Sequence, residues 1–487
     1  MKPNGYRTLG RRTATALLSL TLLFPAASSV FAAEQTDADS SRIKEVLNLL
    51  EKNHVSAPNR TNLSDIAIES MVESLNDPYT VYFTADQLKQ FNNALENNYV
   101  GIGIKVRSED NNAYVTEVFD GPAKTAGMLP GDRIAAVDGV STEGKKLDEV
   151  TDKIMGPEGS KVSITVERNQ QNIDLDMTRQ TIQVPVVTHK MFDQGVGYIR
   201  VSGFSSEADE QTAAQLGELK QQGLTSLVLD LRDNPGGLVD TAQNMAKLFV
   251  KEGILIHTKD KNNVDEPVKF SGGTTQPFPL YILVNENSAS ASEVLTGALQ
   301  DYNVVSKVIG RNTFGKGSVQ TLFPLSNGGA LKVTIEEYLT PKLRKVNKVG
   351  LKPDIDVDGE VPQLVTALQQ AGVNTISVEL NRRGVSINQI PVEDLFDVVR
   401  NDGQLYVPSR VLSSLLAGTV QWNAAAQSVD ITANGETHTF AASDGSLLLQ
   451  NGSSYLNAER FKQYFPQLDY TDSGDKVDLN ATKSSGE

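Results

Sequence analysis

No cysteine occurs in the 487 residues. That excludes a disulfide framework, a thiol nucleophile and a lipid-bearing N-terminal cysteine, and it suits an extracytoplasmic chain that avoids oxidation. Histidine appears four times, at His54, His189, His257 and His438. None lies in a motif. A serine–histidine–aspartate triad is therefore disfavoured, and no His/Glu spacing marks a metal site. His257 follows an apolar strand, where a histidine is more often structural. The one tryptophan, Trp422, is read as a core residue. Basic residues number 45 against 60 acidic ones, a net charge of −15. That balance argues against nucleic acid or an anionic membrane surface as partner. Long apolar runs are also missing. Thr13 to Phe24 is too short to span a bilayer. With Lys2, Arg7, Arg11 and Arg12 before it and Val30-Phe31-Ala32 after it, residues 1–33 read as a secretory signal. An uncleaved anchor is the alternative.

What is present centres on Ser288-Ala289-Ser290-Ala291-Ser292-Glu293. The apolar run Leu280–Val284 before it reads as a buried strand, and Glu293–Gln300 after it has helical spacing. Strand, small-residue turn and helix together hold a hydroxyl at a helix N-terminus. Free backbone N–H groups there can receive an oxyanion. The plain alternative is a capping box, Ser290-x-x-Glu293. A serine nucleophile also needs a base. Thr313-Phe314-Gly315-Lys316-Gly317 sets one lysine between glycines and beside an aromatic, with no carboxylate adjacent. Burial would lower its pKa and leave the amine able to take a proton. If the stretch is a strand, Lys316 and Gln320 share a face, and the amide can orient the amine. A solvated lysine in a glycine loop is the plain alternative.

Together the two motifs resemble the carboxyl-terminal processing proteases, serine–lysine peptidases that carry a PDZ domain. The resemblance implies Ser290 as nucleophile, Lys316 as base and Gln320 as its orienting partner. It implies an oxyanion N–H at Gly236 or Gly237, in Asp233-Asn234-Pro235-Gly236-Gly237, beside that of Ala291. Lys316 follows Ser290 by 26 residues. That is one more than the family spacing, and the extra residue falls within 301–310. Gly350-Leu351-Lys352-Pro353-Asp354-Ile355 resembles the family's closing motif. The preceding Lys342–Lys348 departs from the usual glycine- and serine-containing loop.

The expected fold is multidomain α/β. Residues 34–96 form an N-terminal helical segment, broken at Asp77-Pro78-Tyr79-Thr80, with a further helix from Thr84. Its apolar face is a candidate homodimer interface, intramolecular packing being the simpler reading. Residues 97–182 resemble a PDZ domain. In Gly101-Ile102-Gly103-Ile104 the glycines let N–H groups converge on a peptide's C-terminal carboxylate. Residues 183–358 form the α/β protease core and 359–373 a linker with a helix over 361–370.

Residues 374–487 resemble the stalk-type (copper amine oxidase N-terminal-like) domain of Gram-positive surface proteins. A weak repeat supports this: Asp402-Gly403-x-x-Tyr406 recurs as Asn451-Gly452-x-x-Tyr455. With one histidine and no cysteine this α+β module offers no copper site, and no cofactor or metal is expected anywhere. Read as a spacer with cell-wall contact, it should be dispensable, so a chain ending near Gly372 would keep its peptidase rate. Two classes of function follow. One is a secreted or cell-envelope endopeptidase of a Gram-positive bacterium, acting on envelope or extracellular proteins with free C-termini. The other is an inactive PDZ/stalk adaptor.

Overall fold

The computed structural model describes residues 33–109, 112–381, 384–392 and 394–482. The signal expected at 1–33 lies outside them, save its last residue. No described helix is long and apolar enough to cross a membrane.

The core is a six-stranded sheet. Its order is Val187–Phe192, Val196–Val201, Ser226–Asp230, Leu280–Val284, Lys307–Gly310 and Ile355–Asp356. The first pair is antiparallel and the rest run parallel. Every residue of Ser226–Asp230 is buried. The unbroken apolar run follows from this, because a parallel sheet is covered on both faces. Alternate residues serve the two sides. Leu227, Leu229 and Ile282 pack toward the helices Val239–Lys247 and Ala291–Asp301. Val228, Leu283 and Ile309 pack toward the helix Glu360–Ala371.

That last helix lies in the stretch assigned to a linker, and it is packed on both sides. Val361, Leu364, Val365 and Leu368 join the sheet's second face to the apolar core of the C-terminal module in one continuous cluster. A buried ion pair reinforces the junction. Arg232, 1% exposed, bonds Asp230 at 2.5 Å and Asp394 of the module at 2.7 Å. Burial alone would raise the Asp230 pKa, but Arg232 and Arg200 more than offset it and hold it at about 2. A detachable spacer would not share its core with the catalytic sheet. This packing weighs against the expectation that the module is dispensable.

A second sheet runs Val81–Phe83, Ala330–Leu339, Gly253–Asp260 and Asp265–Phe270, with Ser318–Pro324 also paired to Ala330–Leu339. Val81–Phe83 was not expected as a strand. It ties the N-terminal segment directly to the sheet that carries Gln320. Thr84 then caps the helix Ala85–Leu95 in a capping box with Gln87. The helices Ala33–Asn53 and Arg60–Glu73 leave Ile43, Val46, Leu49, Ile66 and Met71 exposed, so packing among the described residues does not cover that face.

The PDZ region is a six-stranded sheet with its own core around Ile134, Val150, Ile164 and Val166. Its strand Ile104–Glu109 ends the strand order. In the C-terminal module the repeat is structural. Strands Gln404–Pro408 and Ser453–Asn457 pair with each other, and each leads into a short helix, Ser409–Leu415 or Ala458–Tyr464. Each strand follows a turn with positive φ at Asp402-Gly403 or Asn451-Gly452. Trp422 is 45% exposed on the strand Thr419–Asn423, which corrects the core reading.

Candidate active site

Each serine of the opening motif has a different task. Ser288 Oγ accepts the Asn285 N–H at 2.9 Å and donates to the Leu231 carbonyl at 2.8 Å. Ser292 Oγ donates to the Asn234 carbonyl at 2.9 Å. These two tie the turn to the end of the neighbouring strand Ser226–Asp230. Ser290, between them, takes φ 55° and ψ −114°, and the helix Ala291–Asp301 starts at the next residue. A positive φ at a non-glycine residue costs of order 1–3 kcal/mol and persists only where the surroundings enforce it. Ser290 lines a narrow cavity with Val239, Ile256, Val294, Ser318, Val319, Gln320 and Tyr338.

The enforcement comes from Glu293, fully buried on the first turn of that helix. One carboxylate oxygen accepts the N–H of Ser290 at 3.0 Å and of Lys316 at 2.8 Å. The other accepts the Gly315 N–H at 2.7 Å and the Thr313 hydroxyl at 2.5 Å. One side chain thus fastens the nucleophile turn to the lysine loop. Burial pushes its pKa up, against the pull of these four hydrogen bonds. The capping-box reading found Glu293 but not this role. Three of its four donors come from a loop some twenty residues away, which no local motif reveals.

Lys316 is 3% exposed. Its Nζ donates to Gln320 Oε1 at 2.9 Å and stands 4.9 Å from the centre of the Tyr79 ring. Gln320 is oriented in turn, its Nε2 donating to Ser318 Oγ at 2.9 Å and Thr334 Oγ1 at 3.2 Å. The regular strand begins only at Ser318, with an irregularity at Val319/Gln320, yet the lysine–amide pair forms. Burial, and after it the charge of Lys332, hold the Lys316 amine well below the usual lysine range.

The two glycines face different neighbours. A methyl group on Gly236 would lie 2.8 Å from Ser290 Cβ and 2.9 Å from the Ala291 nitrogen, so this glycine sits against the nucleophile turn. On Gly237 it would strike the Phe204 backbone. The Gly236 N–H donates to Asn234 Oδ1 at 2.9 Å. Ala291 opens the helix, where a first-turn N–H has no intrahelical acceptor. The stretch 301–310, where the extra residue is expected, runs from the end of the helix Ala291–Asp301 to the strand Lys307–Gly310. The divergent 342–348 loop is pinned by Arg344, which bonds Asp301 Oδ1 at 2.8 Å and the Gly297 carbonyl at 3.2 Å.

The histidines are engaged elsewhere. His257 pairs with Asp265 at 2.9 Å, His189 with Glu218 at 3.4 Å, and His438 stacks on Tyr464. Among the described residues no group of three or more His, Asp or Glu side chains could hold a metal. In the PDZ loop, Gly103 takes φ 88°, and the Ile102 and Gly103 carbonyls accept the N–H groups of Ala123 at 2.8 Å and Phe119 at 2.9 Å. Ile102 is buried and Ile104 half-buried.

The comparisons point to a serine-type peptidase. Residues 195–357 match peptidase family S41, 114–168 a PDZ domain, and 25–87 the N-terminal domain of the activating protease CtpB. A probable CtpA-like serine protease of Staphylococcus aureus strain N315 is 36% identical over 355 residues, 72% of this chain and 71% of the relative. Its counterpart in strain MRSA252 is 38% identical over 325 residues, 66% of this chain and 65% of the relative, so the match spans just under two thirds of that protein. The solved photosystem II D1 C-terminal processing protease is 30% identical, with a TM-score of 0.41, over 65% of this chain and 87% of that one. The chain belongs to peptidase family S41, the C-terminal processing proteases, with a PDZ domain and a CtpB-type N-terminal domain.

Proposed function

We propose that this protein is a secreted serine endopeptidase of the cell envelope that grips protein C-termini with its PDZ domain and cuts with a Ser290–Lys316–Gln320 site. One observation carries the reading: a lysine 3% exposed, its amine held by an amide, on a loop bound to the same carboxylate as the nucleophile turn. Burying that amine is costly unless its neutral form is wanted, which also weighs against an inactive adaptor.

Ser290 Oγ attacks the scissile carbonyl carbon as Lys316 Nζ takes its proton. Gln320 Oε1 fixes the direction of the amine. The new oxyanion is received by N–H groups of Ala291 and the Gly236-Gly237 turn. The Gly236 N–H is already committed to Asn234, which favours Gly237 as the donor. The protonated Lys316 then passes its proton to the leaving amine, and water releases the acyl group by the reverse path. The terminal position of the strand Ile104–Glu109 suits addition of a substrate's C-terminal strand. The exposed apolar faces of the two N-terminal helices suit a homodimer. The 374–487 module, stalk-like in its repeat, is read as a cell-wall contact built into the enzyme.

Digestion of an unfolded protein tests the chemistry. Cleavage by wild type, none by Ser290→Ala, and none by Lys316→Ala or Lys316→Arg is the expected pattern, since arginine does not deprotonate. Full activity in either lysine variant would sink the lysine-base mechanism.

A further inference from the structure

Lys332 is a second buried lysine beside the site, and the mechanism above leaves it without a task. It lies on the strand Ala330–Leu339 and is 2% exposed. Its ammonium stands 5.3 Å from the Phe91 ring centre and 5.7 Å from that of Phe83. Strand register places it. Thr334 pairs with Gln320 and Lys332 with Leu322. Lys332 and Thr334 are two residues apart, hence on one face of the strand. Thr334 Oγ1 accepts from Gln320, whose Oε1 holds the Lys316 amine. The N-terminal segment covers this stretch of the strand. Val81 pairs with Lys332, and the Thr80 hydroxyl accepts the Thr334 N–H at 3.1 Å while donating to Asp77 at 2.6 Å.

We propose that Lys332 is a positioning residue for the Ser290–Lys316 chemistry: its charge, caged by the N-terminal segment, keeps a proton off Lys316. The proposal rests on Lys316 being the base. Two buried ammonium groups, one bonded to Gln320 and the other two residues along the strand from Gln320's partner Thr334, repel, so the pair carries one charge more readily than two. Two aromatic faces at Lys332, against the single Tyr79 face at Lys316, favour Lys332 as the site of that charge. Burial lowers both amines, Lys332 to about 8, and the Lys332 charge is the second cause of the depression at Lys316. Glu293 on the helix and Asp77 on the N-terminal turn pull Lys316 the other way. Tyr79 and Tyr338, raised by burial, stay neutral around it. Of the two, Lys332 is therefore the member that more readily keeps its charge and Lys316 the one that more readily gives up its proton.

The test is kcat/KM for a peptide substrate from about pH 5 to about pH 10, in wild type, Lys332→Met, Lys332→Gln, Lys332→Arg and Lys316→Ala. Loss of the Lys332 charge lets Lys316 hold its proton to higher pH. In Lys332→Met and Lys332→Gln the acid limb should move up by about one pH unit, an approximately tenfold loss on that limb, and the curves should converge at high pH. Lys332→Arg should restore the wild-type limb. An unmoved limb in both charge-free variants overturns the proposal. So does an equal loss at every pH that arginine does not rescue, which is the mark of packing alone. Lys316→Ala separates the two readings. If it keeps activity, the base assignment fails. If it is dead while the Lys332 variants keep the wild-type limb, only the tuning role fails.

Discussion

Replacing Glu293 by glutamine keeps the side chain's shape and changes one oxygen into an NH2 donor. The carboxylate accepts four hydrogen bonds, two at each oxygen. Whichever way the amide turns, two buried donors then face a donor. Each orphaned donor costs about 1–3 kcal/mol, so two cost about 2–6 kcal/mol. Relief of the buried charge, visible in the upward push on the Glu293 pKa, returns part of this. A net loss of about 2–4 kcal/mol follows. It falls on the Ser290 turn and the 313–316 loop, the two segments that the carboxylate joins. If one to two thirds of it goes into releasing the φ 55° turn at Ser290, kcat falls roughly 3- to 100-fold. KM should barely change, because Glu293 lies beneath the site. Peptide turnover gives the kinetic terms and a urea midpoint gives the stability. Wild-type kcat in Glu293→Gln, beside a dead Ser290→Ala, would refute the reasoning.

Gly236→Ala should be worse for activity than for folding. Its methyl would lie within 2.9 Å of Ala289, Ser290 and Ala291 at φ 103°, so turnover should fall at least 100-fold while circular dichroism stays folded. Asp394→Ala takes one of two carboxylates from a buried guanidinium. Losing a sole partner costs about 3–5 kcal/mol, and Asp230 should soften this to about 2–3 kcal/mol in a denaturant midpoint. Ending the chain after Gly372 should lower both solubility and peptide turnover; unchanged turnover would restore the spacer view. For the PDZ domain, peptides with free apolar C-termini should bind at least tenfold tighter than their amides in calorimetry, and equal affinity would count against the carboxylate loop.

The candidate residues were legible where the signal is local. Ser290, Lys316 and Gln320 each lie in a short stretch, and the structure places Ser290 and Gln320 in one cavity and Lys316 on Gln320. Strand patterning likewise exposed the parallel core, because a strand covered on both faces is apolar throughout. What stayed hidden depends on partners far along the chain. Lys332 reads as an ordinary charged residue in an alternating strand until Phe83 and Phe91 from the N-terminal segment enclose it. Trp422 looked like core because it is large and single, yet its strand offers that face to solvent. Periodicity marked the apolar faces of the N-terminal helices but could not say that the rest of the described residues leave them exposed.

The Arg232–Asp394 pair joins residues 162 positions apart. A chain emerges N-terminus first, so Ser290 and Lys316 are both made before Asp394 exists. Until the last quarter of the polypeptide arrives, Arg232 has only Asp230 to answer its charge, and the sheet's second face is uncovered. Arg232 lies one residue before the Asp233–Gly237 turn that meets the nucleophile. The site is thus finished from behind, and late.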